Sequence, residues 1–141
     1  MQNKSVKYLH LLPDAALPEL GELHRFKVVV AIESEVSQMW QWEVSRWLVS
    51  SGCRYMLAWG KDCSSWDDTV DEANLERFDY DDIPDEETVI TTWHEDEDLE
   101  EVFWFAKSRA KHPVLDLNDT VLIHICDVEK REELEELYAH A

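Results

Sequence analysis

Hydrophobic residues occur along this chain in two alternating patterns, continuous runs and runs at helical spacing. The first continuous run, RFKVVVAI, ends at Ile32 and is rich in β-branched residues, as is typical of a strand buried on both faces of a sheet. The helical pattern after it places apolar residues at Val36, Met39, Trp40, Val44, Trp47 and Leu48. Ser34 is the predicted N-cap of this helix, and Ser51 and Gly52 mark its predicted end.

Three further pairs of a strand and a helix follow. The predicted strands are CRYMLAW, which turns at Gly60, then TVITTW, then residues 121–125. The predicted helices are SSWDDTVDEANLERF, capped by Ser64 or Ser65, then EDLEEVFWFAKSRAKH, which ends at Pro113, and last EKREELEELYAHA.

Strands that alternate with helices predict parallel strands joined by right-handed crossovers. We therefore expect an α/β protein, a three-layer α/β/α sandwich around a four-stranded, mainly parallel sheet with the first strand in its interior. The strand order is either 2-1-3-4, as in flavodoxin-like folds, or 3-2-1-4, as in half of a Rossmann fold. A single domain is expected over residues 25–141. Before it lies a lead-in, residues 1–24, whose Leu9, Leu11 and Leu12 cover part of the core.

The charge balance is strongly acidic: 32 acidic residues against 13 basic residues give a formal net charge of −19. Nucleic acids and anionic membrane surfaces are bound by basic faces, so neither is an expected partner. Three explanations remain: solubility or adaptation to salt, an acidic face that docks on a basic protein, and imitation of nucleic acid. Charge alone does not separate the three.

Cysteine usage and the lack of a membrane signal indicate a cytoplasmic protein. Cys53, Cys63 and Cys126 form no metal-type pair and leave one thiol over, as expected in a reducing compartment. No apolar run approaches the roughly 20 residues of a membrane span. The start of the chain lacks the apolar core of a signal peptide.

Candidate chemistry gathers where the predicted strands end, because loops at the carboxyl edge of a parallel sheet lie side by side. The predicted ligand-binding residues at this edge are Trp59, Trp66, Trp93, His94 and Glu97. If the protein is an enzyme, Cys63 and His94 are the candidate nucleophile and base, although the acidic residues around Cys63 would raise a thiol pKa.

Other common sites lack their sequence signatures. The residues after the first strand, AIESEVSQ, contain no glycine-rich phosphate loop. The acidic residues and histidines lack metal-ligand spacing. Neither a cofactor nor a metal is therefore expected, and His124, inside the fourth strand, is interpreted as a core histidine.

Two tryptophans lie off the apolar stripes of their helices. Trp42 is about 200° around the first helix from Trp40, on the polar side. Trp104 lies outside the apolar stripe of the third helix, which is formed by Leu99, Val102, Phe103, Ala106 and Ala110. Tryptophan is enriched in binding hot spots, so both are candidates for a protein interface. A wide buried face beneath the lead-in explains their position equally well.

The stretches AWGKDCSSWDDTVDEANL and TTWHEDEDLEEVFWFAK carry a distinctive W-x-x-x-C-x-x-W and T-T-W-H pattern. In this pattern the chain resembles an uncharacterised bacterial domain family, over roughly residues 24–126. The positions that the resemblance marks are Cys63, Trp66, Asp67, Asp71, Trp93, His94, Glu97 and Trp104. The resemblance implies no function.

An acidic surface with tryptophans on polar faces is typical of a partner-binding domain. The leading hypothesis is a non-enzymatic binding or accessory module, immunity-like or regulatory, that docks on a basic protein partner. The alternative is a small enzyme or ligand-binding domain with a Cys, His and Trp site at the carboxyl ends of the strands. The two differ in geometry, because a catalytic pair needs Cys63 and His94 within hydrogen-bond reach.

Overall fold

The computed structural model of the chain describes residues 5–20 and 25–141. Its sheet has five strands, all parallel, in the order β1-β5-β2-β3-β4. The strands are β1 (Ser5–Leu11), β2 (Phe26–Ile32), β3 (Cys53–Gly60), β4 (Ile90–His94) and β5 (Asp119–Ile125). The predicted α/β class with a parallel sheet is confirmed.

Four helices cover the two faces of the sheet. They are α1 (Gln38–Ser51), α2 (Cys63–Arg77), α3 (Leu99–Ser108) and α4 (Arg131–His140). Side chains of α1 and α2 share one hydrophobic cluster with the sheet, and side chains of α3 and α4 share the other, which gives the expected three layers. In the described part of the chain, no helix combines the length and apolar character needed to cross a bilayer.

The β-branched run of β2 forms the centre of the sheet because both of its faces are buried. Val28, Val30 and Ile32 pack on the α1 and α2 side, whereas Val29 and Ala31 pack on the opposite side. Burial of each large apolar side chain stabilises the fold by about 1.5–3 kcal/mol relative to an exposed position. The interior position predicted for this strand is confirmed.

The prediction of four strands is wrong by one. The lead-in contains β1, which pairs with β5 in the register Tyr8 to Leu122 and forms an edge of the sheet. The four predicted strands themselves lie in the order fourth, first, second, third. This is the half-Rossmann alternative viewed from the opposite edge, and the flavodoxin-like order is wrong.

Two helices begin at positions other than those predicted. The N-cap of α1 is Ser37, not Ser34, and its Oγ accepts a hydrogen bond from the backbone N–H of Trp40 (3.2 Å). The helix α2 begins at Cys63, immediately after Asp62 with φ of 53°, so neither Ser64 nor Ser65 is its cap.

Gly60, at the end of β3, lies very close to the end of the neighbouring strand β2. Its φ is 104°, and a Cβ at this position would lie 2.1 Å from the carbonyl oxygen of Ile32. Only glycine fits both the backbone conformation and this close approach. The turn that follows β3 and leads into α2 therefore lies directly against the end of β2, where the backbone N–H of Lys61 donates to the oxygen of Ile32 (2.8 Å).

One carboxylate holds three arginines near the start of β3. Glu87 contacts Arg54, Arg25 and Arg77, at 2.5, 2.8 and 3.5 Å. Burial alone would raise the pKa of Glu87, but the hydrogen bonds and charges of Arg25 and Arg54 outweigh it and lower the pKa. The Arg54 side chain is buried, so this carboxylate compensates a charge removed from water.

Replacement of Glu87 by Gln is expected to lower the free energy of unfolding by about 3 kcal/mol, because it leaves the buried Arg54 unpaired. Urea denaturation at neutral pH measures this loss. The exposed neighbour provides the control, and Glu86→Gln should change stability by less than about 0.5 kcal/mol. Since the folded-state pKa of Glu87 is depressed, the difference from wild type should shrink as acid protonates the wild-type carboxyl. A loss of similar size in both variants would contradict this role.

Candidate functional site

The register between β3 and β4 divides the predicted ligand-binding residues between the two faces of the sheet. Trp59 lies opposite His94, and Ala58 lies opposite Trp93. Successive side chains of a strand point to opposite faces. Trp59 packs with the α3 and α4 cluster, whereas Ala58 belongs to the α1 and α2 cluster. His94 therefore lies on the α3 side and Trp93 on the α2 side.

On the α3 side, three predicted residues are joined by hydrogen bonds. Nε1 of Trp59 donates to the backbone oxygen of Glu97 (2.7 Å), and Nδ1 of His94 lies 2.9 Å from a carboxylate oxygen of Glu97. The other ring nitrogen of His94 contacts Oγ1 of Thr92 (2.9 Å). The imidazole also meets the ring of Phe105 edge-on, with centroids 5.1 Å apart. These contacts hold Glu97 in the loop just before α3.

Glu97 forms one end of a cleft that we call the α3 cleft. Its volume is about 460 Å³, and it is lined by Glu97, Glu100, Glu101, Trp104, Phe105 and Ala141. Trp104 is 47% exposed, and the guanidinium carbon of Arg109 lies 5.4 Å from the centre of its ring. The cleft combines an open aromatic surface with three carboxylates. Such a surface suits a cationic group.

The remaining predicted residues lie on the α2 side. Trp66 is fully buried in the core, whereas Trp93 is 51% exposed. Cys63 is buried at the start of α2, where its thiol interacts with the backbone of His94 and not with the imidazole. Burial raises the pKa of the Cys63 thiol, and the backbone hydrogen bond only partly offsets this effect. The geometry gives the candidate nucleophile and base no direct contact.

Two carboxylates on α2 share a hydroxyl of β4. Oγ1 of Thr91 donates to Asp71 (2.7 Å) and also interacts with Asp67. Burial raises the pKa of both carboxyls, and neighbouring negative charge adds to the increase. Within residues 5–20 and 25–141, no group of three or more His, Cys, Asp or Glu side chains is arranged to hold a metal ion.

A second acidic cleft lies over α2, and we call it the α2 cleft. Its volume is about 440 Å³, and it is lined by Trp42, Asp68, Thr69, Asp71 and Glu72. The guanidinium carbon of Arg46 lies 5.4 Å from the centre of the Trp42 ring. Both tryptophans predicted as interface residues, Trp42 and Trp104, therefore line acidic clefts.

A further cluster of reactive groups lies between β2 and β5, where the strand order reverses. From β2 the chain builds outward to β3 and β4, and then returns to place β5 on the other side of β2. Crevices at the carboxyl ends of such strands are common binding sites in open α/β sheets. The residue after β2 is Glu33, and the residue after β5 is Cys126.

His124 is the centre of this cluster and is fully buried, as the core interpretation predicted. Its Nδ1 lies 3.2 Å from the Tyr8 hydroxyl and 3.3 Å from Sγ of Cys126. Its Nε2 lies 3.4 Å from a carboxylate oxygen of Glu33 but makes no aligned hydrogen bond. Lys130 approaches the same carboxylate at 3.7 Å.

The hydrogen bonds around the Tyr8 hydroxyl favour one tautomer of His124. The Tyr8 hydroxyl accepts a hydrogen bond from the backbone N–H of Lys130 (3.1 Å). The proton of this hydroxyl can then be donated to Nδ1 of His124. In the tautomer with Nδ1 as the acceptor, the neutral ring carries its proton on Nε2, toward Glu33. Burial lowers the pKa of His124, and the charge of Glu33 opposes that shift only in part. Sequence reasoning missed this arrangement because the order of β5 and β2 had not been determined.

The chain is thus a five-stranded parallel α/β domain with two acidic clefts. The model of DUF7684, a domain of unknown function, matches residues 6–141, so the chain belongs to that family. The expected membership of a family without known function is confirmed. No curated protein and no solved structure shows significant similarity to the chain.

The lowered pKa of His124 predicts how stability depends on pH. Below about pH 6.5 the unfolded chain binds a proton at this histidine that the folded state resists, so stability should fall as the pH drops. His124→Asn should reduce the slope by up to about 1.4 kcal/mol per pH unit. Urea midpoints measured between about pH 7.5 and pH 5.5 give this slope.

The matched control for this experiment is His140→Asn, which removes an exposed histidine from α4. That variant should keep the wild-type slope. Because the readout is a slope, an overall loss of stability in His124→Asn does not affect the comparison. Equal slopes in the wild type and His124→Asn would rule out a depressed pKa at this position.

Proposed function

We propose that this domain is a non-enzymatic accessory module that binds a basic protein partner through the α3 cleft. The observation that supports this most directly is Trp104, which is half exposed in a cleft rimmed by Glu97, Glu100 and Glu101. An immunity-like or regulatory protein that covers a basic surface is one form of such a module.

The carboxylates of the cleft have few counter-charges within the molecule. Among the described residues, neither Glu100 nor Glu101 forms an ion pair. Both are exposed in the first turn of α3, where the helix dipole stabilises negative charge. A basic side chain from a partner could therefore bind these carboxylates without breaking an ion pair within the molecule.

The aromatic part of the cleft suits the same ligand. Arg109 already makes a cation–π contact with Trp104, so this indole ring binds a guanidinium group within the molecule. Phe105 extends the apolar surface toward His94. An exposed tryptophan surrounded by polar groups is the usual composition of a binding hot spot.

The proposal is tested by titrating the protein with an arginine-rich peptide and following binding by calorimetry. A peptide of the same length with glutamate in place of arginine is the control. Affinity for the basic peptide should fall strongly between about 0.05 M and 0.5 M salt, because the contacts are largely electrostatic. Failure of the basic peptide to bind, or equal binding of the acidic one, would refute the proposal.

We expect the double variant Glu100→Gln and Glu101→Gln to weaken binding of the basic peptide by roughly tenfold. The double variant Glu132→Gln and Glu133→Gln is a matched control, since these residues occupy the first turn of α4 and the change in net charge is the same. It should weaken binding by less than about twofold. Trp104→Ala should also weaken binding by at least about tenfold.

Equal loss in the two double variants would show that only the net charge attracts the peptide. In that case the α3 cleft would not be the binding site. Thermal unfolding of each variant verifies that the loss of affinity does not come from loss of the fold.

A further inference from the structure

The outer edge of β4 is open. In the described part of the chain, β4 pairs only with β3 and forms an edge of the sheet. Edge strands are commonly protected by lysine, proline or a bulge. The strand ITTWH has none of these, whereas the opposite edge strand, β1, carries Lys7. Among the described residues, no strand pairs with the side of β4 that faces away from β3.

Each acidic cleft is tied to this edge by one side chain of β4. On the α2 side, Thr91 donates to Asp71, which lines the α2 cleft. On the α3 side, His94 contacts Glu97, which lines the α3 cleft. The open edge therefore lies between two acidic surfaces, and Trp93 adds a half-exposed ring on the α2 side.

We propose that an extended, basic segment of the partner protein adds to the edge of β4 as a sixth strand. Alternate side chains of an added strand point to opposite faces of the sheet, so one set reaches toward the α2 cleft and the other toward the α3 cleft. Backbone hydrogen bonds to β4 supply affinity, and the carboxylates on both sides select basic side chains. This inference rests on the proposed function and specifies the conformation in which the partner binds.

A second copy of the same chain is a poor occupant of this edge. Each copy carries a formal net charge of −19, and pairing two β4 strands would bring their flanking carboxylates together. Like charges placed opposite each other oppose association. A basic segment meets the same edge with opposite charge, so charge complementarity decides between the two occupants.

The test uses a short synthetic peptide that repeats two arginines followed by two valines, so that both faces of an extended strand carry arginine. Two further peptides have the same sequence, with N-methyl groups on the odd residues only or on every residue. A strand pairs with β4 through only one of its edges, so only one of the two sets of N–H groups is needed. The half-methylated peptide keeps one free edge and should bind within about threefold of the parent, whereas the fully methylated peptide has none and should bind at least about tenfold more weakly.

Amide hydrogen exchange locates the bound peptide on the protein. Binding should slow exchange at outward-facing amides of β4 by about tenfold or more, and should leave the amides of β1 unchanged. The strand β1 is the internal control, because it is the other edge of the sheet. Protection of β1 instead of β4, or of neither strand, would overturn the inference.

The outcomes separate this inference from the proposed function. If the parent peptide binds and depends on Glu100 and Glu101, but both methylated peptides behave alike, the α3 cleft binds basic segments without strand addition. If the parent peptide does not bind, the proposed function fails and the strand inference fails with it. A dimer in sedimentation without peptide, whose β4 amides are protected from exchange, would place a second copy on this edge and would also overturn the inference.

Discussion

The pairing register of β3 with β4 controls which side chains at this end of the sheet can act together. Because neighbours in a strand face opposite layers, Trp93 and His94 are adjacent in sequence but belong to different surfaces. A shift of one residue would exchange them, placing His94 near α2 and removing Glu97 from its anchor. Both acidic clefts depend on this register, since Thr91 holds Asp71 and His94 holds Glu97.

Most of the fold could be predicted from the sequence because the buried apolar residues of most helices and strands recur at regular spacing. The run in β2 is buried on both faces, so its composition alone indicates an interior strand. The strand β1 is different: it lies at an edge, Val6 is 44% exposed, and its partner β5 is more than a hundred residues away. Its identity as a strand depends on where the crossover after α3 places β5. The local sequence of β1 does not show that it pairs with β5.

The candidate site was predictable to the extent that it depends on helix periodicity. Trp42 and Trp104 were located on polar faces by the helical repeat, and both line acidic clefts. The positions of the predicted strand ends placed four residues at the same end of the sheet: Trp59, Trp66, Trp93 and His94. They did not predict the face of the sheet on which each side chain lies, because the pairing register determines the face. The environment of His124 depended on strand order as well, since Glu33 and Cys126 meet only when β2 and β5 are neighbours.

The distribution of cations explains why so acidic a chain retains open carboxylates in its clefts. Glu87 occupies Arg25, Arg54 and Arg77, and these contacts hold the start of β3. Arg46 and Arg109 lie against tryptophan rings at the two clefts. Arg46 also pairs with Glu76 at 2.9 Å. Among the described residues, no arginine pairs with a carboxylate that lines either cleft. Solvent ions or a partner can therefore balance the charge of these carboxylates, and a partner that supplies several cations on one segment releases those ions on binding.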